Sequence, residues 1–332
     1  MNLVTGATGH IGNVLVRLFL DQGEMVRAMI MPGEDPTPLR GLDVEIVEAD
    51  VLDYQSLLKA FDHIEVVYHL AGIISILPGK QPLVQAVNVL GTRNVIQAAH
   101  STGVRRLVYT SSIHALKRVP HGILIDETVP FDPEHAISSY DSSKASASLG
   151  VLGAVQHGLD AVIVCPTGVI GPYDFRRSEM GQLILDCVEQ KPMLYVDGAY
   201  DFVDVRDVAE GLILAGKKGR CGESYILSGE RIEVLDIIKI VQEILGKRLF
   251  SLKIPMQLAN LTANITPFYY RLTHGKPRFT SYSLATIASN SVISHAKAHL
   301  ELGYLPRPLR ESLGDTVKWF IKYKTLSKNP NL

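Results

Sequence analysis

The feature that most constrains this chain is a glycine-rich turn near its beginning, Thr-Gly-Ala-Thr-Gly-His-Ile-Gly, which runs from Thr5 to Gly12. An apolar strand pattern at Asn2–Thr5 precedes the turn, and an amphipathic helix pattern at Ile11–Gln22 follows it. A turn between a strand and a helix is the context in which such glycines bind a dinucleotide. The competing interpretation is a glycine-rich turn without a ligand, because three glycines at this spacing also occur by chance.

Each glycine of the turn has a separate predicted role. Gly6 permits the tight turn, Gly9 lets the backbone approach a pyrophosphate, and Gly12 lets the helix lie close to the strand. The first N–H groups of the helix have no partner within it and carry partial positive charge, so they favour phosphates. The predicted dinucleotide contacts of the turn are Gly6, Thr8, Gly9, His10, Ile11 and Gly12.

The chain after the turn continues to alternate strand and helix patterns. The predicted strands are Asn2–Thr5, Met25–Ile30, Val44–Val47, Glu65–Leu70, Arg106–Thr110 and Ala161–Cys165. Amphipathic stretches such as Pro82–Ser101 separate most of them. Strands joined by helical crossovers run parallel and are covered on both faces, so we predict an α/β fold with a Rossmann-type doubly wound parallel sheet.

After the sixth strand, prolines and glycines interrupt this rhythm, and a smaller α/β C-terminal substrate lobe is predicted. The predicted division is a dinucleotide-binding domain at residues 1–165 and a substrate-binding lobe at residues 166–332. Two later strand patterns, Asp201–Val205 and Ser224–Leu227, are predicted to rejoin the main sheet. Parts of residues 196–230 would then belong to the first domain.

The composition disfavours several classes of partner. The 33 Lys and Arg against 34 Asp and Glu leave a net charge of -1, so no general field attracts nucleic acid or an anionic membrane. The cysteines, Cys165, Cys187 and Cys221, lack metal-ligand spacing and are predicted to be buried thiols in a reducing cytosol. No targeting segment opens the chain, and no apolar run approaches the ~20 residues of a membrane helix. We predict a cytoplasmic protein without a metal site that binds a small molecule.

Tyr140 and Lys144 form the candidate pair for proton transfer. They are four residues apart at the start of the predicted helix Ser138–His157, so both side chains lie on one face. A protonated lysine favours the phenolate, and the cation of a bound nicotinamide would add to this effect, so the tyrosine pKa is predicted to fall from about 10. Of 13 tyrosines, only Tyr140 has a lysine four residues later, although about one such pair is expected by chance. The alternative is a solvated helix face.

Ser112 and His114 follow the fifth strand, at the edge of the sheet where such folds bind ligands. Ser112 is predicted to donate to the substrate oxygen on which negative charge develops, and the alternative is an ST-turn that closes the strand. His114 is a candidate for a hydrogen bond with the substrate, although a lone histidine more often has a structural role. The apolar loop Ile73–Leu77 forms either a pocket wall or part of the core.

The choice between NAD and NADP stays open. An acid at the end of the second strand binds the ribose 2′-hydroxyl of NAD, and a base binds the 2′-phosphate of NADP. Met31 ends this strand and supplies neither, and Glu34 and Asp35 follow only after a Pro-Gly pair. Asp50, after the third strand, either accepts from the adenine amino group or caps the next helix.

Together these motifs resemble the extended short-chain dehydrogenase/reductase superfamily, also described as the NAD-dependent epimerase/dehydratase family, over nearly the whole chain. The matching segments, in the order of that family, are Thr5–Gly12, Asp50-Val51, His69–Gly72, Asn88, Tyr109–Ser112, Tyr140 with Lys144, and Pro166–Pro172. The resemblance implies that Ser112, Tyr140 and Lys144 carry catalysis and that Asn88 supports the active site. The further cofactor contacts that it implies are Asp50, Val51, Leu70, Ala71, Gly72, Tyr140, Lys144, Pro166, Gly168 and Val169.

Tyr200 separates this chain from the nucleotide-sugar enzymes of the superfamily. Those enzymes commonly carry an arginine there that grips the diphosphate, and a tyrosine cannot make this charged, bidentate contact. Arg176 and Arg177 are another candidate anion site, with a solvated pair as the alternative. The remaining pattern is similar to dihydroflavonol 4-reductase-like, 3β-hydroxysteroid dehydrogenase-like and hopanoid-associated branches, whose NADP-dependent reductases often carry a base where Met31 stands.

The sequence therefore predicts an NAD- or NADP-dependent dehydrogenase or reductase, acting on a ketone or secondary alcohol of a small apolar or phenolic substrate. Tyr140 would move the proton, Lys144 would hold the phenolate, and Ser112, Tyr140 and His114 would contact the substrate. The alternatives are an epimerase or dehydratase of a sugar-like substrate and a non-catalytic dinucleotide sensor, which the Tyr-Lys pair disfavours. Many relatives form a four-helix dimer interface, so the two long helices predict a homodimer.

Overall fold

A computed structural model describes residues 1–74, 81–261 and 280–328. Its strands are β1 (Asn2–Thr5), β2 (Val26–Ile30), β3 (Glu45–Glu48), β4 (Val66–His69), β5 (Arg106–Thr110), β6 (Ala161–Pro166), β7 (Gly168–Ile170), β8 (Met193–Tyr195), β9 (Ala199–Asp204), β10 (Ser224–Leu227), β11 (Glu230–Glu233) and β12 (Ser251–Lys253). Its helices are α1 (His10–Asp21), α2 (Tyr54–Ala60), α3 (Gln81–Gln85), α4 (Thr92–Thr102), α5 (Ser139–Gln156), α6 (Glu179–Val188), α7 (Val205–Lys218), α8 (Val234–Leu245), α9 (Ser281–Ile287), α10 (Ala296–Leu302) and α11 (Leu309–Lys328). The remaining helical segments are a π-helix at Ala86–Gly91, 3₁₀ helices at Thr37–Leu39 and Ile113–Ala115, and residues 256–261.

Seven strands form one parallel sheet in the order β10-β6-β5-β4-β1-β2-β3. Helical connections are expected between these strands, because the chain leaves one strand at its carboxyl end and must cross back to the opposite edge of the sheet before a parallel strand can begin. The strand order reverses between β1 and β4, and sheets of this type bind ligands there, outside the carboxyl ends of the strands. The predicted doubly wound, Rossmann-type parallel sheet is confirmed.

Both faces of the sheet are covered, so neighbouring residues of one strand enter two separate apolar cores. In β1, Leu3 packs into one core and Val4 into the other. In β5, Leu107 and Val108 divide in the same way. This two-sided burial explains why the strands read as continuous apolar runs in the sequence.

The two later strand patterns have different outcomes. Ser224–Leu227 is β10 and pairs with β6 at the end of the main sheet. The prediction that Asp201–Val205 rejoins this sheet is wrong, because β9 instead lies between β11 and β7 in a three-stranded sheet. Val205 begins α7, whose first turn is capped by the Asp204 carboxylate accepting from Arg206 N at 2.8 Å. The division into residues 1–165 and 166–332 stays a prediction.

The prediction that all three thiols are buried is wrong for one of them. Cys165 and Cys187 are buried, whereas Cys221 is exposed in the turn before β10. Burial raises the pKa of Cys165 and of Cys187 to about 12. Within the described ranges, no helix combines the length and the apolar character needed to cross a membrane.

The helix predicted at Pro82–Ser101 is divided into α3, the π-helix and α4, which pack with α5. π-Helical turns are uncommon and often mark functional sites. Leu83, Leu90 and Leu149 are about half exposed on these helices. An exposed apolar surface on these helices is compatible with the predicted homodimer, which stays a prediction.

We expect the combined variant Leu90→Glu and Leu149→Glu to convert a dimer into a monomer, because a carboxylate buried in an apolar interface is strongly unfavourable. Light scattering on an eluting size-exclusion peak measures the mass. Leu300→Glu, at an exposed position of α10, is the matched control and should leave the mass unchanged. A monomeric natural protein, or a double variant that remains dimeric, would contradict this interface.

Candidate active site

The carboxyl ends of the parallel strands bring the predicted site residues to one edge of the sheet. The glycine turn follows β1, Asp50 follows β3 and Leu70 follows β4. Ser112 lies two residues beyond the end of β5, and Pro166 ends β6. Residues distant in the sequence therefore meet here because parallel strands end on the same side.

The glycine turn has no room for side chains at two of its positions. Gly6 has φ of +67°, and a Cβ atom there would lie 2.8 Å from Ala71 N. A Cβ atom on Gly12 would collide with the Gly6 carbonyl oxygen. Gly9 is the N-cap of α1 and provides no side-chain cap, so the first N–H groups of the helix are available to a ligand. This side-chain-free cradle fits the pyrophosphate of a dinucleotide.

The Thr5 hydroxyl connects the glycine turn to the loop after β4. Its Oγ1 accepts hydrogen bonds from Leu70 N at 3.1 Å and Ala71 N at 3.0 Å. Since both N–H groups donate, the Thr5 hydroxyl donates its own hydrogen to His69 Nδ1 at 2.8 Å. One buried side chain thus fixes both predicted cofactor loops at the point where the strand order reverses.

His69 extends this network into the helix that begins at Thr92. Its Nε2 donates to Thr92 Oγ1 at 3.0 Å, and this hydroxyl donates to Asn88 O at 2.7 Å. The imidazole is therefore neutral, with its hydrogen on Nε2. Burial, followed by the charge of Lys144, lowers the pKa of His69 to about 3. The histidine is a fixed link and does not change charge near neutral pH.

Asn88 connects the loop after β4 to α5, the helix that carries Tyr140. Its Oδ1 accepts from Ile73 N at 2.8 Å, and its Nδ2 donates to Ile73 O at 3.1 Å and to Ser143 Oγ at 2.9 Å. The Ser143 hydroxyl donates to Tyr140 O at 2.7 Å. These contacts explain how a π-helix residue can support a site on α5.

Ser112, Tyr140 and Lys144 are brought together and buried. The Tyr140 phenol lies near the Ser112 side chain, whose interaction with it favours the phenolate and so opposes the effect of burial on the Tyr140 pKa. Lys144 Nζ donates to Thr110 O at 2.7 Å and lies 5.0 Å from the centroid of the Tyr109 ring. Ser112 Oγ also accepts from His114 N at 3.2 Å, so the ST-turn foreseen as an alternative is present as well. The turn and the contact with Tyr140 are compatible.

The protonation states of this group differ from the prediction. Burial raises the pKa of Tyr140 to about 12, and it lowers the pKa of Lys144 to about 8. The predicted lowering combined the charge of Lys144 with that of a bound nicotinamide; in the protein by itself, the pKa of Tyr140 is raised instead. The reason is that burial penalises the phenolate and Asp141 adds negative charge nearby, while the lysine ammonium is bound to the Thr110 carbonyl.

Aromatic side chains line the side of the site beyond Ser112. The hydroxyl of Tyr200 is hydrogen-bonded with His114 Nε2 at 2.8 Å, and the two rings stack 5.6 Å apart. Tyr282 OH donates to Asp141 Oδ1 at 2.7 Å, and Arg118 Nη2 lies 3.6 Å from the other carboxylate oxygen. Burial lowers the pKa of His114 to about 4. Sequence reasoning selected His114 and Tyr200 but missed the other three, which carry no motif.

A cavity of about 260 Å³ adjoins this aromatic group. His114 and Tyr200 form one side of it, and the apolar side chains of Leu116 and Val119 contribute to its walls. Its charged lining residues are Lys117 and Arg118. The cavity therefore offers a space with both apolar and polar walls next to the segment that carries Ser112.

Several predicted positions have other contacts. Asp50 does not cap α2, because Asp53 caps it by accepting from Gln55 N at 3.0 Å, whereas Asp50 Oδ1 accepts from Leu52 N at 2.9 Å. Its predicted contact with adenine stays a prediction. Val51 is buried against Gly91.

The positions around the turn and β7 are placed by backbone contacts. His10 Nε2 donates to Pro172 O at 3.0 Å, beside the half-buried Ile11. Gly168 begins β7, where a Cβ atom would lie 2.7 Å from the Phe202 ring, and Val169 follows it. In the loop Ile73–Leu77, residues 75–77 lie outside the described residues.

The predicted anion pair Arg176 and Arg177 is divided. Arg176 Nη2 donates to Thr8 Oγ1 at 2.8 Å and forms an ion pair with Glu34. Arg177 is exposed and has φ of +54°. The contact between Arg176 and Glu34 spans 142 positions, so no local pattern could have indicated it.

This chain matches one family model and is similar over nearly its whole length to several known proteins. A model described as the NAD-dependent epimerase/dehydratase family matches residues 2–228. Sterol demethylase protein B of Methylococcus capsulatus is 38% identical over 325 residues, which cover 96% of this chain and 97% of that protein. A dihydroflavonol 4-reductase-like protein of Synechocystis is 32% identical, with 96% and 93% covered. The crystal structure of gox2253 has a TM-score of 0.84 at 33% identity and covers 97% of this chain and 98% of that chain.

The Thr5 network can be tested with two substitutions. Thr5→Val keeps the shape but removes the hydroxyl, which leaves two buried N–H groups and His69 Nδ1 without a partner, so we expect a loss of about 3 kcal/mol in unfolding free energy. Thr5→Ser keeps the hydroxyl and should lose about 1 kcal/mol for the missing methyl group. Urea unfolding measures both. Equal stability of the two variants would contradict the network.

The lowered pKa of Lys144 predicts a pH-dependent effect on stability. Between its folded pKa of about 8 and the value of about 10.4 in an unfolded chain, the folded protein binds fewer protons than the unfolded chain. The contribution of Lys144 to unfolding free energy therefore rises with pH in this window. We expect the change in unfolding free energy caused by Lys144→Met to be about 2 kcal/mol more stabilising for the folded protein at pH 7 than at pH 10.

Urea unfolding of both proteins at each pH measures this difference. The matched control is Lys247→Met, at an exposed lysine whose substitution should have the same small effect at both pH values. Equal effects of Lys144→Met at the two pH values would contradict the prediction, because they would mean that Lys144 has the same pKa in the folded and the unfolded chain.

Proposed function

The chain belongs to the NAD-dependent epimerase/dehydratase family, and from this premise we propose that it is a dehydrogenase or reductase acting on a secondary alcohol or ketone. Membership makes it an oxidoreductase of the extended short-chain type that uses a nicotinamide dinucleotide. The observation that carries the finer proposal is the buried group Ser112, Tyr140 and Lys144 at the edge of the sheet that also bears the glycine turn.

Each member of this group has a separate proposed role. When bound, the nicotinamide supplies the capacity to donate or accept hydride. Tyr140 gives a proton to the substrate oxygen during reduction and removes it during oxidation. Ser112 donates a hydrogen bond to the same oxygen as charge develops on it. Lys144, with a pKa of about 8, is largely cationic near neutral pH and stabilises the Tyr140 phenolate when it forms.

The residues around the glycine turn and the loop after β4 would hold the dinucleotide. The turn offers free N–H groups at the start of α1, and Gly6 lies too close to Ala71 for a side chain to fit between the two loops. The proposed contacts are Gly6, Thr8, Gly9, His10, Ile11, Gly12, Asp50, Val51, Leu70, Ala71, Gly72, Tyr140, Lys144, Pro166, Gly168 and Val169.

A small apolar or phenolic ring compound is the proposed class of substrate. Tyr200 occupies the position of the diphosphate-binding arginine of nucleotide-sugar enzymes, and its hydroxyl is bonded to His114. The neighbouring cavity has apolar walls at Leu116 and Val119. One relative is named after a sterol, which is a largely apolar ring compound, and another after a dihydroflavonol, which is a phenolic one. His114 is the proposed polar contact of the substrate beyond Ser112 and Tyr140.

Tyr140→Phe tests the catalytic assignment. We expect kcat to fall by about 10²- to 10⁴-fold, because the variant loses its proton donor and acceptor. The assay follows the nicotinamide absorbance with a panel of cyclic ketones and secondary alcohols. Tyr54→Phe, which removes a hydroxyl bonded to Ser101, is the matched control and should keep full activity.

Two outcomes would contradict the proposal. Full turnover by Tyr140→Phe would remove this residue from catalysis. Product formation without net oxidation or reduction of the dinucleotide would instead identify an epimerase or dehydratase, in which the cofactor is restored in each cycle.

A further inference from the structure

Glu34 lies close to the end of β2 although four positions separate it from Ile30, the last residue of that strand. Glu34 N donates to Met31 O at 3.0 Å, which closes a tight turn through Pro32 and Gly33, and Gly33 has φ of +75°. Proline followed by a residue of positive φ is typical of a type II turn. This turn reverses the chain.

The reversal returns the side chain to the strand end. Glu34 Oε2 accepts a hydrogen bond from Met31 N at 3.1 Å. The carboxylate therefore lies beside the first residue after β2, although the sequence places it three residues later. An acid at this end of the second strand is the group that binds the ribose 2′-hydroxyl of NAD in sheets of this type.

The same carboxylate lies beside the glycine turn. β1 and β2 are neighbours, with Thr5 opposite Met29, and Ala7 N donates to Met29 O at 3.3 Å. Arg176 connects Glu34 to the turn, because its Nη2 contacts the other carboxylate oxygen and also donates to Thr8 Oγ1 at 2.8 Å. The side chain of Glu34 is only 18% exposed. The carboxylate is thus fixed by a backbone N–H group on one oxygen and by a guanidinium on the other.

The neighbouring acid has a different arrangement. Asp35 Oδ1 accepts from Thr37 N at 3.0 Å and from Thr37 Oγ1 at 2.7 Å, and so starts the short helix Thr37–Leu39. Its carboxylate serves a local turn. Of the two acids after the Pro-Gly pair, only Glu34 has a carboxylate that accepts a hydrogen bond from the backbone at the end of β2.

We propose that Glu34 is the residue that selects NAD over NADP in this chain. Its carboxylate accepts a hydrogen bond from the adenosine ribose and repels a 2′-phosphate at the same place. Arg176 is a positioning residue, since its charge is compensated by Glu34 and it holds the carboxylate against the turn. This inference rests on the proposed function only in requiring that a nicotinamide dinucleotide binds, and does not depend on the role of Tyr140.

Direct binding of NADH and NADPH, measured by calorimetry without substrate, tests the proposal. We expect the natural protein to bind NADH at least about 10-fold more tightly than NADPH, as a charge-assisted hydrogen bond and a like-charge repulsion require. Glu34→Gln should reduce this ratio by about 10-fold or more, mainly through tighter binding of NADPH. Glu34→Ala should change the ratio in the same direction, which keeps the test valid if one variant is unstable.

The controls are the adjacent residues of the same charge. Asp35→Asn removes an acid one position away, and Arg177→Gln removes the neighbouring exposed arginine. Neither should change the ratio of the two dissociation constants by more than about two-fold. Arg176→Gln should weaken NADH binding without selectively weakening NADPH binding, because it releases the carboxylate.

Three results would overturn the proposal. The first is a natural protein that binds NADPH as tightly as NADH, and the second is an unchanged ratio in both Glu34 variants. The third is a selective loss of NADPH affinity in Arg176→Gln, which would make this arginine a phosphate ligand. Because no turnover is measured, a correct ratio combined with an inactive enzyme would contradict the proposed function alone.

Discussion

The approach of the glycine turn to the loop after β4 is the contact on which the rest of the site depends. Gly6 leaves no room for a side chain against Ala71, and the Thr5 hydroxyl binds the backbone N–H groups of Leu70 and Ala71. This contact joins the two loops at the point where the strand order of the sheet reverses. The order of the strands then places every other loop of the site.

A continuous hydrogen-bond network extends from this contact to the helix that carries the proposed catalytic residue Tyr140. It passes from Thr5 through His69 and Thr92 to Asn88, and Asn88 also bonds Ser143 on the helix that carries Tyr140. The network consists of neutral groups, and each of its donors is paired with an acceptor. Its burial therefore does not require a charged group to lose its hydration. It provides a physical reason why the position of the catalytic helix is coupled to the cofactor loops.

Burial also decides the protonation states of Tyr140 and Lys144, the titratable members of the proposed catalytic group. With its pKa raised to about 12, Tyr140 is a neutral phenol at physiological pH, which is the form that donates a proton to a developing alkoxide. The ammonium of Lys144 is held by a backbone carbonyl instead of by the phenol. Under the proposed function, the protein by itself is therefore prepared for reduction, and oxidation needs additional positive charge to favour the phenolate.

Local patterns in the sequence predicted the seven strands of the parallel sheet, the glycine turn and the spacing of Tyr140 and Lys144, because the apolar periodicity of a strand or a helix is contained in a short segment. They did not predict the short strands β7, β8, β11 and β12. They did not predict the π-helix within Pro82–Ser101, since its distortion is accompanied by distant contacts such as that of Asn88 with Ile73. They also could not connect Glu34 with Arg176, which meet only in the folded chain. The separate sheet that contains β9 was missed because a strand pattern does not specify its partner.

Transfer of a deuterium label tests the central claim most directly. A ketone that proves to be a substrate would be reduced with NADH deuterated at the hydride-donating carbon of the nicotinamide ring, on each face in turn. Net hydride transfer predicts one deuterium on the carbinol carbon of the product, from one face only, with one oxidised dinucleotide formed for each product molecule. Product without deuterium, formed while the dinucleotide remains reduced, would contradict it.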